Sequence, residues 1–192
     1  MKTPLVLASS SPRRISFLKQ LGVRFRLANP RVDETPLTGE RPRPYVRRVA
    51  LEKARAVSRR RPSDWILAGD TIVVLDGSIL GKPRDDREAR RMLRSLSGRA
   101  HQVLSALALV HEGERKELSG VCLTRVQLRE MEASEIRWYV GTGEPADKAG
   151  AYAIQGRGGI FVKKIVGSAS NVAGFPVETF YELMQRAGLR LF

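Results

Sequence analysis

With 192 residues, 42% of them hydrophobic and 28% charged, the chain is long enough to bury a core and too apolar for a disordered tail. No apolar run approaches the roughly 18 residues of a membrane-spanning helix, the N-terminal PLVLA is too short for a signal-peptide core, and a single cysteine, Cys122, excludes an internal disulfide and a cysteine-based zinc site. The net charge of +14 is carried in runs broken by Pro, Asp and Glu, and only 6% of residues are aromatic, so a solvated basic surface that draws small polyanions is expected rather than a nucleic-acid groove.

In chain order, Leu5 to Ala8 reads as a short buried strand. A helical period then starts at Pro12, with Ile15, Leu18 and Leu21 on one side. Pro12 suits the first helical position, Ser11 can cap the end and Gly22 can close it. The serines and arginines of LVLASSSPRRISFLKQLG therefore sit at a strand-to-helix junction. Free backbone N–H groups and the positive end of the helix dipole converge there, and that is a place to hold an anion. VRFRLANP alternates Val23, Phe25 and Leu27 with arginines, as a half-buried strand does. A loop with Asp33, Glu34 and Glu40 leads to a helix from roughly Tyr45 to Arg60, whose inner face carries Val46, Val49, Ala50, Ala54 and Val57. Lys53 lies one turn from Val49 and one from Val57, near that face.

DWILAGDTIVVLDGSILGKP predicts a buried strand, a turn at Asp76-Gly77, a short return strand and a Gly-Lys-Pro loop. DDREARRMLRSLSG predicts a helix with acids in its first turn and Gly98 past its end. Two strands follow, joined near Glu112-Gly113, then a helix from about Ala133 to Val140. GAYAI and IFVKKIVGS predict two more strands, and NVAGFPVETFYELMQRAGL an amphipathic closing helix. Alternating strands and helices with a hairpin in the middle indicate an α/β fold with a mixed sheet in one domain.

Asp70 interrupts an otherwise apolar strand, and a carboxylate there is costly unless it is paired, metal-bound or at an open end of the sheet. By itself it fits a structural role as well as a catalytic one. Lys82 in its glycine-proline turn, Lys53 and Glu34 are each open in the same way. Neither GRGG nor GKP matches a glycine-rich nucleotide fingerprint, which sets aside P-loop and Rossmann readings. His101 and His111 lack metal-ligand spacing, and no histidine stands near the serines to make a nucleophile of one. One combined chemistry is open to these residues. Cations and helix-end amides neutralise a polyphosphate, while carboxylates hold a divalent ion and one of them takes a proton from water.

Taken in order, LASSSPRR, DET, LEKARAV, AGDTIVVLDGSILGKPRD, LSGRAHQV, DKAGAYAIQGRGG and GSASNVAGFPV resemble the Maf (septum formation) family of nucleotide pyrophosphatases, from Leu7 to about Pro176. The resemblance implies a single Maf-like domain over residues 1–192 with an elongated α/β fold of the inosine-triphosphate-pyrophosphatase type. In that fold a mixed β-sheet is flanked by helices, and two lobes enclose a central cleft. It implies hydrolysis of a nucleoside triphosphate to monophosphate and pyrophosphate with a divalent cation, magnesium or manganese. A cytoplasmic protein without membrane or nucleic-acid partners is expected, and a homodimer is compatible with this.

Arg13, Thr71 and Gln155 are similar to the dTTP/UTP-hydrolysing subgroup rather than to the 7-methyl-GTP subgroup, which stays the nearest enzymatic alternative. A nucleic-acid-binding or cell-division regulatory protein is the alternative outside enzymes. By the resemblance Asp70 is the proton acceptor, and Arg13, Thr71 and Gln155 bear on the base accepted. Ser10, Arg14, Glu34, Lys53 and Lys82 match the remaining polar positions, with Glu34 and Asp70 as the expected metal ligands. The Gln155 carboxamide offers a donor and an acceptor, which suits the O4/N3–H edge shared by thymine and uracil.

Overall fold

The structure, a computed structural model, describes residues 5–190. Its elements are β1 (Leu5–Ala8), α1 (Pro12–Gln20), β2 (Phe25–Ala28), α2 (Pro42–Ser58), β3 (Trp65–Leu75), β4 (Ser78–Leu80) and α3 (Asp86–Leu96). They continue with β5 (Ala100–His111), β6 (Lys116–Leu128), α4 (Ala133–Gly141), β7 (Val162–Val166), α5 (Ala169–Val172) and α6 (Val177–Arg186). The strands form an open mixed sheet in the order β2-β1-β3-β5-β6-β7, with β4 paired to β3. The expected α/β class with a mixed sheet is borne out. The chain divides into two compact units: one holds the chain up to Asp70, Ser105–Cys122 and the chain from Gly174 onward, the other Thr71–Leu104 and Leu123–Ala173.

In the first unit, β1 lies between β2 and β3 and runs parallel to both, with Ala8 opposite Ala28 on one side and Ala68 on the other. All four residues of β1 are buried because both faces of the sheet are covered. Leu5, Leu7, Trp65 and Leu67 point one way, into a cluster with Leu18 of α1 and Phe180, Leu183 and Met184 of α6. Val6, Ala8, Ile66 and Ala68 point the other way by the two-residue period. The chain steps outward from β1 to β2 and then back across β1 to β3. Right-handed crossovers therefore put α1 and α2 on opposite faces. The α2 residues Val46, Val49, Ala50, Ala54 and Val57 are buried as their spacing requires. Pro42 starts this helix three residues before the expected Tyr45, since proline suits the first turn.

α1 begins and ends where the sequence places it. Gly22 at φ +68° closes it, donating its amide to the Lys19 carbonyl while Val23 donates to that of Leu18. Ser11 occupies the cap position, but its side chain makes no capping bond. Leu27 of the edge strand β2 is 54% exposed, so that strand buries less than its alternation suggests. At the two ends of the sheet, Arg26 on β2 and Lys163 and Lys164 on β7 are exposed.

In the second unit β3 turns at Asp76 (φ 49°) and Gly77 (φ 79°), the paired left-handed conformation of a tight hairpin, and returns as β4 with Val73 opposite Leu80. Asp85 caps α3 by accepting the Glu88 amide at 2.7 Å. Leu93 and Leu96 of α3 pack with Val73, Val126, Tyr139 and Phe161 in this unit's own core. The Thr124 hydroxyl donates to the Ser168 carbonyl at 3.1 Å and accepts from the amide of Ser168 at 3.0 Å and the carboxamide of Asn171 at 2.9 Å. This ties α5 to β6.

GAYAI is not a strand, contrary to expectation. Gly150 (φ 69°) and Ala151 (φ 61°) are left-handed and shape a 3-10 turn over Ala149–Ala151. A strand cannot pass through that conformation. The burial that alternating apolar residues usually signal is real here, with Ala151, Tyr152 and Ala153 all buried.

His101 of β5 is 4% exposed, and its Nε2 lies 2.8 Å from the Tyr152 hydroxyl. Burial pushes the His101 imidazolium down from 6.5 to about 4. Between those values the unfolded chain holds more protons than the folded one. Stability is therefore fully present above about pH 6.5 and falls as the pH drops toward about 4. Urea midpoints measured across that window should decline for the wild type and decline less for His101→Gln, which has no imidazole to charge.

Candidate active site

At the carboxyl ends of β1 and β2, beside the middle of β3, the chain leaves neighbouring strands toward opposite faces of the sheet. Such a reversal opens a ligand crevice in parallel α/β sheets. Several of the candidate residues of the first unit stand on the segments that meet there. Ser9 to Ser11 follow β1, Arg13 and Arg14 open α1, Glu34 lies in the segment after β2, Lys53 is on α2 and Asp70 is on β3.

The serine junction is organised by Ser9 rather than by Ser11. The Ser9 Oγ accepts the Ser11 amide at 3.2 Å and Nη1 of Arg14 at 3.4 Å, while Arg14 Nε donates to the Gly174 carbonyl at 3.1 Å. Ser10 is exposed at the tip of the junction and Arg13 is half-buried beside it. A Cβ on Gly69 would stand 2.8 Å from Leu107 Cδ2, 3.0 Å from the Ala106 carbonyl oxygen and 3.2 Å from Arg14 Nε. The missing side chain just before Asp70 is what lets the guanidinium lie against β3. Burial pushes the Arg14 pKa down, the Asp70 charge pulls it back up, and the charges of Arg13 and Glu34 act on it in turn.

Asp70 shares the parity of Ile66 and Ala68 and so faces α2, where Lys53 meets it. Lys53 Nζ donates to Asp70 Oδ1 at 2.9 Å and stands 2.9 Å from Glu34 Oε2. Asp70 is 7% and Lys53 8% exposed, whereas the Glu34 side chain is half open at 53%. The expected place of Lys53 near the inner helix face is borne out, with its ammonium engaged by two carboxylates.

Glu34 is set by α2 residues that the sequence reading did not single out. The Tyr45 hydroxyl donates to the Glu34 carbonyl at 2.7 Å. One turn on, Arg48 grips the Glu40 carboxylate through Nε at 2.8 Å and Nη2 at 2.7 Å, and Nη2 also reaches the Thr35 carbonyl at 3.1 Å. Asp33 folds the loop locally by accepting the Thr35 amide at 2.9 Å and its hydroxyl at 2.6 Å. Burial, followed by the charges of Asp70 and Glu34, raises the Tyr45 phenol to about 12, so it stays a donor. Their spacing on the loop side of α2 was the available signal, but a tyrosine and an arginine on a helix declare no partner.

The remaining candidates belong to the second unit. Thr71 is half-buried and follows Asp70 directly on β3. Lys82 is exposed two residues beyond Leu80, in the loop after β4. Gln155 is exposed on a bend between Ile154 and Gly156. No group of three or more His, Cys, Asp or Glu side chains suited to a metal ion occurs among the described residues. Glu34 and Asp70 present a pair of hard oxygen donors. Magnesium takes one or two carboxylates beside phosphate and water, so this pair fits it. No helix among the described residues is long and apolar enough to cross a membrane.

Removing the ammonium leaves Asp70 buried with its hydrogen-bond donor gone. Lys53→Met should lower unfolding free energy by about 3 kcal/mol at neutral pH. The double variant Lys53→Met with Asp70→Asn should recover much of that loss, and urea unfolding of the three proteins checks both statements.

A family model described as "Maf-like protein" matches residues 4–187. A dTTP/UTP pyrophosphatase of Anaeromyxobacter dehalogenans is 53% identical over 193 residues, covering 100% of this chain and 97% of its own length. One of Myxococcus xanthus is 50% identical over 190 residues, covering 99% and 95%. Among solved structures, a HAM1 protein from Coxiella burnetii aligns with a TM-score of 0.50 at 17% identity, covering 96% of this chain and 99% of that one, a likeness of fold alone. The resemblance carried by the seven motifs is thus borne out along the whole chain: it belongs to the Maf-like family.

Proposed function

We propose that this chain hydrolyses dTTP and UTP to the monophosphate and pyrophosphate. Relatives 53% and 50% identical bear that activity as their name. The single observation that carries the mechanism is Lys53 seated between Asp70 and Glu34, with the Arg14 guanidinium in the field of both carboxylates.

Lys53 holds Asp70 by Oδ1, which orients the carboxylate and leaves Oδ2 to take a proton from the attacking water. The water oxygen bonds to the α-phosphorus, the bond from that phosphorus to the α–β bridging oxygen breaks, and pyrophosphate leaves with the electron pair. Ser10, Arg13 and Arg14, at the start of α1, bind the triphosphate, each charge-assisted bond offsetting its repulsion. Glu34 and Asp70 would hold a magnesium or manganese ion, which when bound supplies further neutralisation of the phosphate oxygens. Thr71 and Gln155 act on the base, Gln155 by pairing with the O4/N3–H edge of thymine or uracil. A site that satisfies both groups rejects bases with another donor pattern.

A panel of dTTP, UTP, CTP, purine triphosphates and 7-methyl-GTP, with pyrophosphate and orthophosphate measured separately, tests this. One pyrophosphate per nucleotide with dTTP and UTP preferred is expected. Orthophosphate release or a preference for 7-methyl-GTP overturns it. Asp70→Asn should cost about 10²- to 10⁴-fold in turnover, the range of a general base, while binding of a non-hydrolysable analogue largely survives. Gln155→Ala should change the ranking of bases more than the rate on dTTP.

A further inference from the structure

Gln155 is exposed, yet the backbone on both sides of it is tied down by side chains that the proposed chemistry does not use. Upstream, the Ala153 amide donates to the Tyr139 hydroxyl at 3.2 Å, and Tyr152 meets His101 at 2.8 Å. Downstream, the Arg157 amide donates to Glu144 Oε2 and the Gly158 amide to Glu144 Oε1, each at 3.0 Å. The two anchors are joined, because the Tyr139 hydroxyl donates to Glu144 Oε1 at 2.9 Å.

Glycines permit the approach. A Cβ on Gly156, which has φ +97°, would stand 2.8 Å from Glu144 Oε2. One on Gly158 would stand 2.7 Å from the Ala153 carbonyl and collide with the Tyr139 hydroxyl. Burial works against the Glu144 charge, but the amides of Gly158 and Arg157, the Tyr139 hydroxyl and Lys148 outweigh it and hold its carboxyl below the ordinary value. One carboxylate therefore receives three donors, and one phenol closes the turn from the other side. Nothing comparable is needed to make a surface turn, since glycine alone supplies the conformation. A carboxamide that must discriminate a base by two opposed hydrogen bonds does need a fixed backbone.

We propose that Tyr139 and Glu144 are positioning residues that clamp the segment from Ala153 to Gly158 and so fix the base preference exerted through Gln155. The proposal rests on the reading of Gln155 given above. Neither residue touches substrate; each acts through the turn it holds. Glu144→Gln is the telling change. One of its two oxygens becomes an NH₂ group that faces a donor and cannot accept, with little change of volume. Tyr139→Phe removes the hydroxyl that links the two anchors and keeps the ring in the core.

The experiment compares kcat and KM on dTTP and CTP for wild type, Glu144→Gln, Tyr139→Phe and Gln155→Ala, together with amide exchange across the segment. In both clamp variants the dTTP-to-CTP ratio of kcat/KM should fall at least about 10-fold, carried by KM on dTTP, with kcat on dTTP within about 3-fold of wild type. The amides of Ala153, Arg157 and Gly158 should exchange at least about 10-fold faster in the variant that removes their acceptor. If Gln155→Ala shifts the preference and both clamp variants keep it, the clamp is overturned and the reading of Gln155 stands. If Gln155→Ala leaves the preference intact, that reading fails and takes the proposal with it. Should one clamp variant fail to fold, the other decides.

Discussion

A single ammonium between two carboxylates is the interaction on which the proposed chemistry depends. Lys53 stands 2.9 Å from Asp70 and 2.9 Å from Glu34, and taking the first pair out of water is costly unless each charge finds its partner. The surrounding fold meets that condition by position. The two-residue period of β3 turns Asp70 toward α2, and the helical period of α2 brings Lys53 to the buried side with Val49, Ala50 and Val57. Two carboxylates and one lysine leave a negative excess, which Arg14 approaches from the α1 face through the gap left by Gly69. Opposed crossovers on the two faces of the sheet thus bring Lys53 against Asp70 from one side and Arg14 against the neighbouring Gly69 from the other.

The proposed reaction asks for charge handling and for base choice, and the two tasks place different demands on the groups that serve them. In the first, long side chains are held by ion pairs and by carbonyls brought from distant sequence, as Arg14 is by Gly174. In the second, a short turn is stiffened through its own backbone amides. Charges tolerate some play because Coulomb attraction falls slowly with distance. Paired hydrogen bonds to a base edge do not, since they weaken steeply off axis.

Local features of the fold were legible where the physics is local. The helical period placed Lys53, Pro12 and Gly22 marked the ends of α1, Asp76-Gly77 marked a hairpin, and a lone carboxylate in an apolar strand marked Asp70. What escaped was set by partners far along the chain. Ser9 and Ser11 look alike in sequence, and only the position of Arg14 selects Ser9. Tyr45, Arg48, Tyr139 and Glu144 are ordinary helix or turn residues until the loops they grip are folded against them. GAYAI failed for a different reason. Its burial was read correctly, but Gly150 and a left-handed Ala151 convert an apolar run into a turn, and alternation cannot report the sign of φ.

The strands at the two ends of the order β2-β1-β3-β5-β6-β7 are edges that display cations: Arg26 on β2, and Lys163 with Lys164 on β7. Unsatisfied amides and carbonyls along such rims are a template for fibrous stacking, and like charges set at strand spacing oppose it. Part of the chain's large positive excess therefore guards it against polymerising through its own backbone. That guard is electrostatic and weakens in concentrated salt, where the Debye length shrinks to about 3 Å at 1 M.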